Sequence, residues 1–359
     1  MESVLHALVR VASPFVTGYD VVSNTASSAF SASLAIIGGA GPLPPHPPET
    51  THAKAVVVTG TSAGIGRNVA LTLASKGYLV FAGVRKLSDG DSLVKEFKTH
   101  KSYKANGIVP VILDVTNKQG IVDARNEIAQ KLQQRNADLV AVVNVAGLIT
   151  LSPIEVTDDK EIRKEFDVNF FGVLDVTKAF LPFLKRTRGR VINIGSAASF
   201  ITAPSAGIYS ASKAAIAAAT EALRMELRPL GVGVSLIEPG CIRTRAWDIG
   251  IKKLREYNDK KSGSQQSAAG VSTDDLFAPR ESKGIDNYAP LFKRLQLAYE
   301  LAINLAFPPE HITQHVEHAL SSRFPRDRYL GGPDVKVAYF VLKFVPQKVV
   351  ETAVKMVLW

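Results

Sequence analysis

The chain has 359 residues, 46% hydrophobic and 21% charged, a balance that builds a packed core and excludes disordered, collagen-like and fibrous proteins. A single cysteine, Cys241, excludes an intrachain disulfide framework and a thiolate zinc cluster. Forty-three Lys and Arg against 33 Asp and Glu give a formal charge of +10, which favours anionic groups such as phosphates or lipid headgroups. No basic run with interleaved aromatics points to nucleic acid, so none is expected as a partner.

Residues 1–53 stand apart as a tail ending in Pro42-Leu43-Pro44-Pro45-His46-Pro47-Pro48, a stiff polyproline spacer. Val21 to Pro48 carries no Asp, Glu, Lys or Arg, yet it lacks the unbroken apolar run of ~18–20 residues a spanning helix needs. No basic region precedes an apolar core near the start, and Arg10 is the only Lys or Arg before Lys54. Neither a secretory signal nor a transit peptide is expected.

From Ala55 onward apolar runs alternate with helical periodicity. Strand-like runs cover 55–59, 78–84, 109–113, 139–144, 190–195 and 232–237; amphipathic segments lie near 65–76, 118–135, 159–184 and 207–229. Near-continuous Val/Ile/Leu strands in this alternation predict an α/β fold with a doubly wound parallel sheet. Residues 251–290 break the rhythm, and 291–306 turn helical again. The 245–306 stretch is expected to form the substrate cover. Its Leu276, Phe277, Tyr288, Leu291, Phe292, Leu295 and Tyr299 either line an apolar pocket or pack the cover on the core. His311, His315 and His318 share a face of the helix after Pro309 at a metal-compatible spacing. The parallel stripe Ile312, Val316 and Ala319 favours a buried face instead, and no metal is expected. At the end, Val335 to Val345 and the stripe Val349, Val350, Ala353, Val354, Val357 and Leu358 oppose Lys336, Lys343, Lys348 and Lys355, before a terminal Trp359. Residues 335–359 therefore read as amphipathic helices that lie on a membrane surface or close the substrate pocket.

Several strand ends carry chemistry. Thr59-Gly60-Thr61-Ser62-Ala63-Gly64-Ile65-Gly66 follows the first strand and opens a helix. Such a loop is an ordinary glycine-rich turn or a diphosphate cradle closed by the helix N-terminus. The second strand ends at Val84-Arg85 with no acid, and an arginine there suits a 2′-phosphate. Asp114 closes the third strand, where a carboxylate caps a turn or accepts from an adenine amino group. Asn144-Val145-Ala146-Gly147 follows the fourth with small residues that leave room for a ribose and nicotinamide. Tyr209 and Lys213, four apart, share one helix face. A phenol with a pKa of ~10 exchanges protons poorly near neutrality, and a neighbouring cation lowers it. Ser196 lies just past the fifth strand, within reach of a substrate oxygen.

Taken together, Thr-Gly-x-x-x-Gly-x-Gly, Asn-x-Ala-Gly, Ser196 and Tyr-x-x-x-Lys resemble the short-chain dehydrogenase/reductase family over residues 54–250 in order and spacing. The resemblance implies a Rossmann-like catalytic domain over 54–334 with a lipophilic C-terminal extension. It implies catalytic Asn169, Ser196, Tyr209 and Lys213. Cofactor contacts would come from Gly60, Ser62, Gly64, Ile65, Gly66, Arg85, Asp114, Asn144, Ala146, Gly147, Tyr209 and Lys213, with Pro239, Gly240, Ile242 and Thr244 at the nicotinamide end. Val145 departs from the family, many of whose members carry a second asparagine there. Leu223-Arg224-Met225-Glu226-Leu227, Ile237-Glu238-Pro239-Gly240 and Arg328-Tyr329-Leu330-Gly331-Gly332-Pro333-Asp334 resemble the retinol, 17β-hydroxysteroid and 3-hydroxybutyrate dehydrogenase branch. The expected function is hydride transfer between NADP(H), favoured over NAD(H), and a lipophilic alcohol or ketone. The alternatives are an acyl-dihydroxyacetone-phosphate-type reductase or a catalytically silent dinucleotide-binding scaffold. By resemblance the chain is a homo-oligomer, inside the cell, at an endoplasmic-reticulum or lipid-droplet surface or otherwise cytoplasmic.

Overall fold

The computed structural model describes residues 52–99, 107–244, 247 and 288–358; the proline-rich tail, Leu276 and Phe277 lie outside them. Among the described residues seven strands form one sheet: β1 (Ala53–Val58), β2 (Leu79–Val84), β3 (Ile108–Ile112), β4 (Ala137–Asn144), β5 (Arg190–Ile194), β6 (Gly233–Pro239) and β7 (Arg328–Gly331). All neighbours pair in parallel, in the order β3-β2-β1-β4-β5-β6-β7. Strand order reverses between β1 and β4, and the carboxyl ends on either side of that reversal are where open α/β sheets bind ligands.

Every residue of β2, β5 and β6 is buried, because helices cover both faces. Helices α1 (Gly64–Ser75), α2 (Leu87–Lys98) and α8 (Glu310–Ser321) fill one layer with Leu73, Leu93, Phe97, Ile312 and Val316. On the other face α3 (Lys118–Gln134) and α5 (Gly172–Thr187) contribute Ile121, Ile128, Leu132, Val176, Phe180 and Leu184. The predicted stripe of Ile312, Val316 and Ala319 is fully buried, and His318 beside it bonds the Tyr329 hydroxyl at 2.8 Å.

Two elements lie beyond the periodicity. Helix α2 carries Ser88-Asp89-Gly90-Asp91 in its first turn, turn-forming residues that hide a narrow stripe of Gly90, Leu93 and Phe97. Strand β7 spans four residues, too few to show alternation. The stretch expected as one helix over 159–184 divides into α4 (Asp159–Phe166), a π-helical turn at Asp167–Phe171, and α5. Helix α6 (Gly207–Leu227) packs along β5 and β6, its Thr220 bonded to Asn193 and its Arg224 to the Val234 carbonyl, and α7 (Ala289–Asn304) packs Phe292 on Leu151 and Ala206. Among the described residues no helix is long and apolar enough to cross a membrane. The chain ends in α9 (Pro333–Phe344) and α10 (Gln347–Leu358).

Candidate active site

The loop after β1 is shaped by contact. Gly60 has φ +68°, and a Cβ there would lie 2.8 Å from the Ala146 Cα; a Cβ on Gly66 would run into the Gly60 carbonyl. Only glycine permits this turn. Thr59 Oγ1 accepts from the Val145 and Ala146 N–H groups at 2.9 and 3.1 Å, so the two loops are laced side by side. Helix α1 begins at Ala63 with no side-chain cap and no acid in its first turn. Its first N–H groups and its positive dipole end are left for a ligand's anionic groups, which is the requirement for a diphosphate. A cleft of about 390 Å³ runs along the outer side of the loop, lined by Gly64, Arg67, Arg243 and Thr244; Arg67 is already paired with Glu96 at 2.6 Å.

Arg85 stands exposed past the end of β2. Asp114 is half-buried, with one carboxylate oxygen accepting from the Thr116 N–H and hydroxyl at 2.9 and 2.8 Å, so that oxygen closes its own turn. Asn144 closes β4. Its amide is buried and donates to Thr177 Oγ1 at 3.0 Å and to Asn193 Oδ1 at 2.9 Å, and Asn193 in turn donates to Thr220 at 2.9 Å. That ladder ties β4 and β5 to α5 and α6. On the far side, Cys241 N–H donates to Asp334 at the start of α9, and Phe307 pairs with Ile242. These contacts fix the Pro239–Thr244 turn, whose Thr244 would touch a Cβ placed on Gly64 at 3.2 Å.

Ser196, Tyr209, Lys213 and Asn169 converge between these loops. Ser196 heads a short turn, its Oγ accepting from the Ala198 N–H at 3.1 Å. Buried Glu238 steadies that turn, accepting from the Ser199 hydroxyl and pairing with Arg328 at 3.3 Å. Lys213 Nζ is buried, donates to the Ile194 carbonyl at 3.0 Å and sits 5.8 Å from the Tyr209 ring centre. The side chain of Asn169, in the π-helical turn, is held on both sides: Oδ1 accepts from Leu148 N–H, and Nδ2 donates to Leu148 O and Ser212 Oγ. Burial pushes the Tyr209 phenol up to about 12, eased down by the Ser196 hydroxyl and raised further by Glu165; burial pulls the Lys213 ammonium down to about 8, opposed by Glu165. The Tyr-x-x-x-Lys spacing predicts a lowered phenol pKa; in the structure the phenol is raised, with burial the largest cause.

Sequence reasoning passed over Glu165, Thr59, Glu238 and Asp334 as site residues. Glu165 is fully buried behind Asn169, where burial pushes it up to about 7. No motif marks it, since its helix reads as an ordinary charged surface.

The family model for short chain dehydrogenases matches residues 54–251. The chain belongs to that family. It is an NAD(P)-dependent oxidoreductase acting on CH–OH groups. A 3beta-hydroxysteroid dehydrogenase of Caenorhabditis elegans is 30% identical over 84% of this chain and 73% of its own length. A mitochondrial D-beta-hydroxybutyrate dehydrogenase of Mus musculus is 36% identical over 54% of this chain, which spans about half (55%) of that enzyme. Among solved structures, a short chain dehydrogenase from Burkholderia cenocepacia in complex with NADP superposes with a TM-score of 0.56 at 25% identity, covering 83% of this chain and 95% of that one. The dehydrogenase thus falls in the hydroxysteroid and hydroxybutyrate branch expected from its Glu-Pro-Gly and Gly-Gly-Pro-Asp stretches.

Proposed function

We propose that this dehydrogenase interconverts a lipophilic secondary alcohol and its ketone, using NADP(H) in preference to NAD(H). The observation that carries the reading is the convergence of Ser196, Tyr209 and Lys213 beneath an apolar cover helix. Helix α7 buries Leu291, Phe292 and Leu295, and Phe292 packs on Leu151 and Ala206, three residues before Tyr209. Tyr299 stacks near Trp247, 5.5 Å between ring centres, while the Tyr288 hydroxyl reaches Glu155 at 2.7 Å. The apolar stripe of 291–306 therefore meets the rim of the site, where an apolar substrate would be shielded from water.

A bound nicotinamide supplies the hydride in the reducing direction and takes it in the other. Tyr209 donates the proton to the carbonyl oxygen, or removes it from the alcohol. Ser196 orients that oxygen with its hydroxyl proton, its own oxygen being held by Ala198. Lys213 would hold the ribose hydroxyls of a bound nucleotide and places a positive charge beside the phenol, which lowers the cost of phenolate. Asn169 shapes the proton route behind Lys213. Gly60, Ser62, Gly64, Ile65 and Gly66 would cradle the diphosphate, Ala146 and Gly147 the nicotinamide ribose, and Pro239, Gly240, Ile242 and Thr244 the carboxamide. Arg85 supports the choice of NADP(H): it is a cation where an NAD enzyme places an acid. Arg85→Ala is expected to lower kcat/KM for NADP(H) by ~10-fold or more, one charge-assisted contact, while leaving NAD(H) unchanged. Equal loss with both cofactors would refute the assignment.

Membrane-surface attachment fits α9 and α10: Val335 is anchored in the core, whereas Val341, Phe344 and Val349 are exposed. Flotation with anionic liposomes should recover the full chain and not one truncated after Pro333; a full chain left unbound at low salt would refute attachment. Exposed Phe171 and Met225, on the segments through which the family assembles, support a homo-oligomer, which sizing in solution checks. A cofactor-coupled screen of steroids, retinoids and acyl ketones tests the substrate class, with activity confined to short polar hydroxy acids as the contrary result.

A further inference from the structure

Behind the Tyr209–Lys213 pair lies a carboxylate that the hydride-transfer reading leaves without a task. Glu165, the penultimate residue of α4, is fully buried. One oxygen accepts from the Thr150 N–H at 3.0 Å, and the other faces Asn169 Nδ2 at 3.4 Å. Asn169 Oδ1 and Lys213 Nζ both flank Gly147, lying 3.3 and 3.6 Å from where its Cβ would sit. The ionisable groups facing Glu165 are Lys213 and Tyr209 from α6 and Glu161 one turn back on α4; Thr150 and Asn169 supply uncharged partners. Lys213 is the one cation among them. A carboxylate removed from water needs such a partner, and so does a buried ammonium.

We propose that Glu165 is a positioning residue for this site, holding the buried Lys213 in its cationic form and thereby setting the pH range in which Tyr209 and Lys213 work together. The proposal rests on the hydride-transfer reading for its kinetic consequence alone; in the structure Glu165 and Lys213 are linked through Asn169, whose Nδ2 faces Glu165 at 3.4 Å and whose Oδ1 flanks Gly147 together with Lys213 Nζ. The electrostatics agree in sign. The Glu165 charge raises the pKa of Lys213 against the burial that lowers it, and Lys213 lowers that of Glu165 against the burial that raises it. The same negative charge raises the Tyr209 phenol. Neutralising Glu165 therefore moves both groups in one direction, downward.

The test is Glu165→Gln, read in two ways. The Lys213 Nζ resonance, identified by its loss in Lys213→Ala, is titrated by heteronuclear NMR without cofactor. Its midpoint is expected to fall by about one unit in Glu165→Gln, the effect of losing one nearby opposite charge. With cofactor and a turned-over ketone, both limbs of the kcat/KM profile should move to lower pH, while Glu165→Asp keeps them near the parent values. A purely structural role would change kcat or melting temperature and leave the limbs in place. A folded, nucleotide-binding Glu165→Gln protein with an unmoved Nζ midpoint overturns the proposal. If that variant does not fold, the unmodified protein still decides: its Nζ shift should carry a second inflection near 7 as Glu165 titrates, and a single-step curve counts against the pairing. Failure of the parent to reduce any carbonyl would sink the hydride-transfer reading and leave the NMR result to judge Glu165.

Discussion

Gly66→Ala is the sharpest perturbation of the nucleotide cradle. The added methyl would lie 2.8 Å from the Gly60 carbonyl carbon, closer still to its oxygen, and 3.1 Å from the Thr59 oxygen. These are backbone atoms, and they are fixed. Thr61 N–H and its hydroxyl both donate to Gly83 O, at 3.1 and 3.0 Å, while Thr59 Oγ1 holds the neighbouring loop. Relief must come from shifting the loop or the start of α1, at an overpacking cost of ~1–3 kcal/mol. If nucleotide binding requires the unshifted cradle, that cost appears as a ~5- to 150-fold loss of affinity. Calorimetric titration with NADP(H) measures it, alongside the melting temperature. Gly120→Ala is the control, since its methyl meets only the Asn117 side chain away from the cradle, and it should bind as the parent does. A Gly66→Ala protein with parental affinity would refute the placement of the diphosphate on this loop.

Lys213→Met should lose ~10²–10⁴-fold in turnover, the usual worth of a group serving proton transfer. Because burial pulls the ammonium down to about 8 from 10.5, this lysine costs stability below about 8 and returns it as pH rises towards 10.5. The variant should therefore melt no lower than the parent at neutral pH and lack that alkaline rise; a large loss of stability would contradict the reasoning. Glu165 works in the other direction. Its folded pKa is raised to about 7 from 4.5, so the stability it contributes is full below 4.5 and lost as pH climbs to 7. Melting temperatures of Glu165→Gln should be flatter than the parent's across that window, and an unchanged slope would be the contrary result.

The sheet was legible because its central strands are buried on both faces and written in near-continuous apolar residues: each of the six runs predicted from the sequence lies within two residues of an observed strand. Helix α2 and strand β7 escaped for opposite reasons, one masked by turn residues and one too short. The π-helical turn at Asp167–Phe171 has no sequence signature, since hydrophobic periodicity barely changes over five residues. At the site, glycines and the Tyr-x-x-x-Lys pair announce themselves by spacing. Glu165 and Asp334 do not, because a charged residue on an amphipathic helix reads as solvated until the tertiary packing shows which side of the helix is sealed. Asn144 is legible by its position at a strand end, whereas its amide bonds to Thr177 and Asn193 emerge only from the packing of β4 against β5 and α5.

The central claim, that Tyr209 exchanges the proton accompanying hydride transfer, is tested most directly by Tyr209→Phe. The phenyl ring keeps the packing of α6 against the Ser196 turn and removes only the hydroxyl. NADP(H) oxidation is followed with whichever ketone the parent reduces best, and nucleotide affinity is measured on the same preparation. The account predicts parental folding and nucleotide affinity with kcat reduced ~10²–10⁴-fold. A Tyr209→Phe protein that binds the nucleotide and turns over at the parental rate would contradict it.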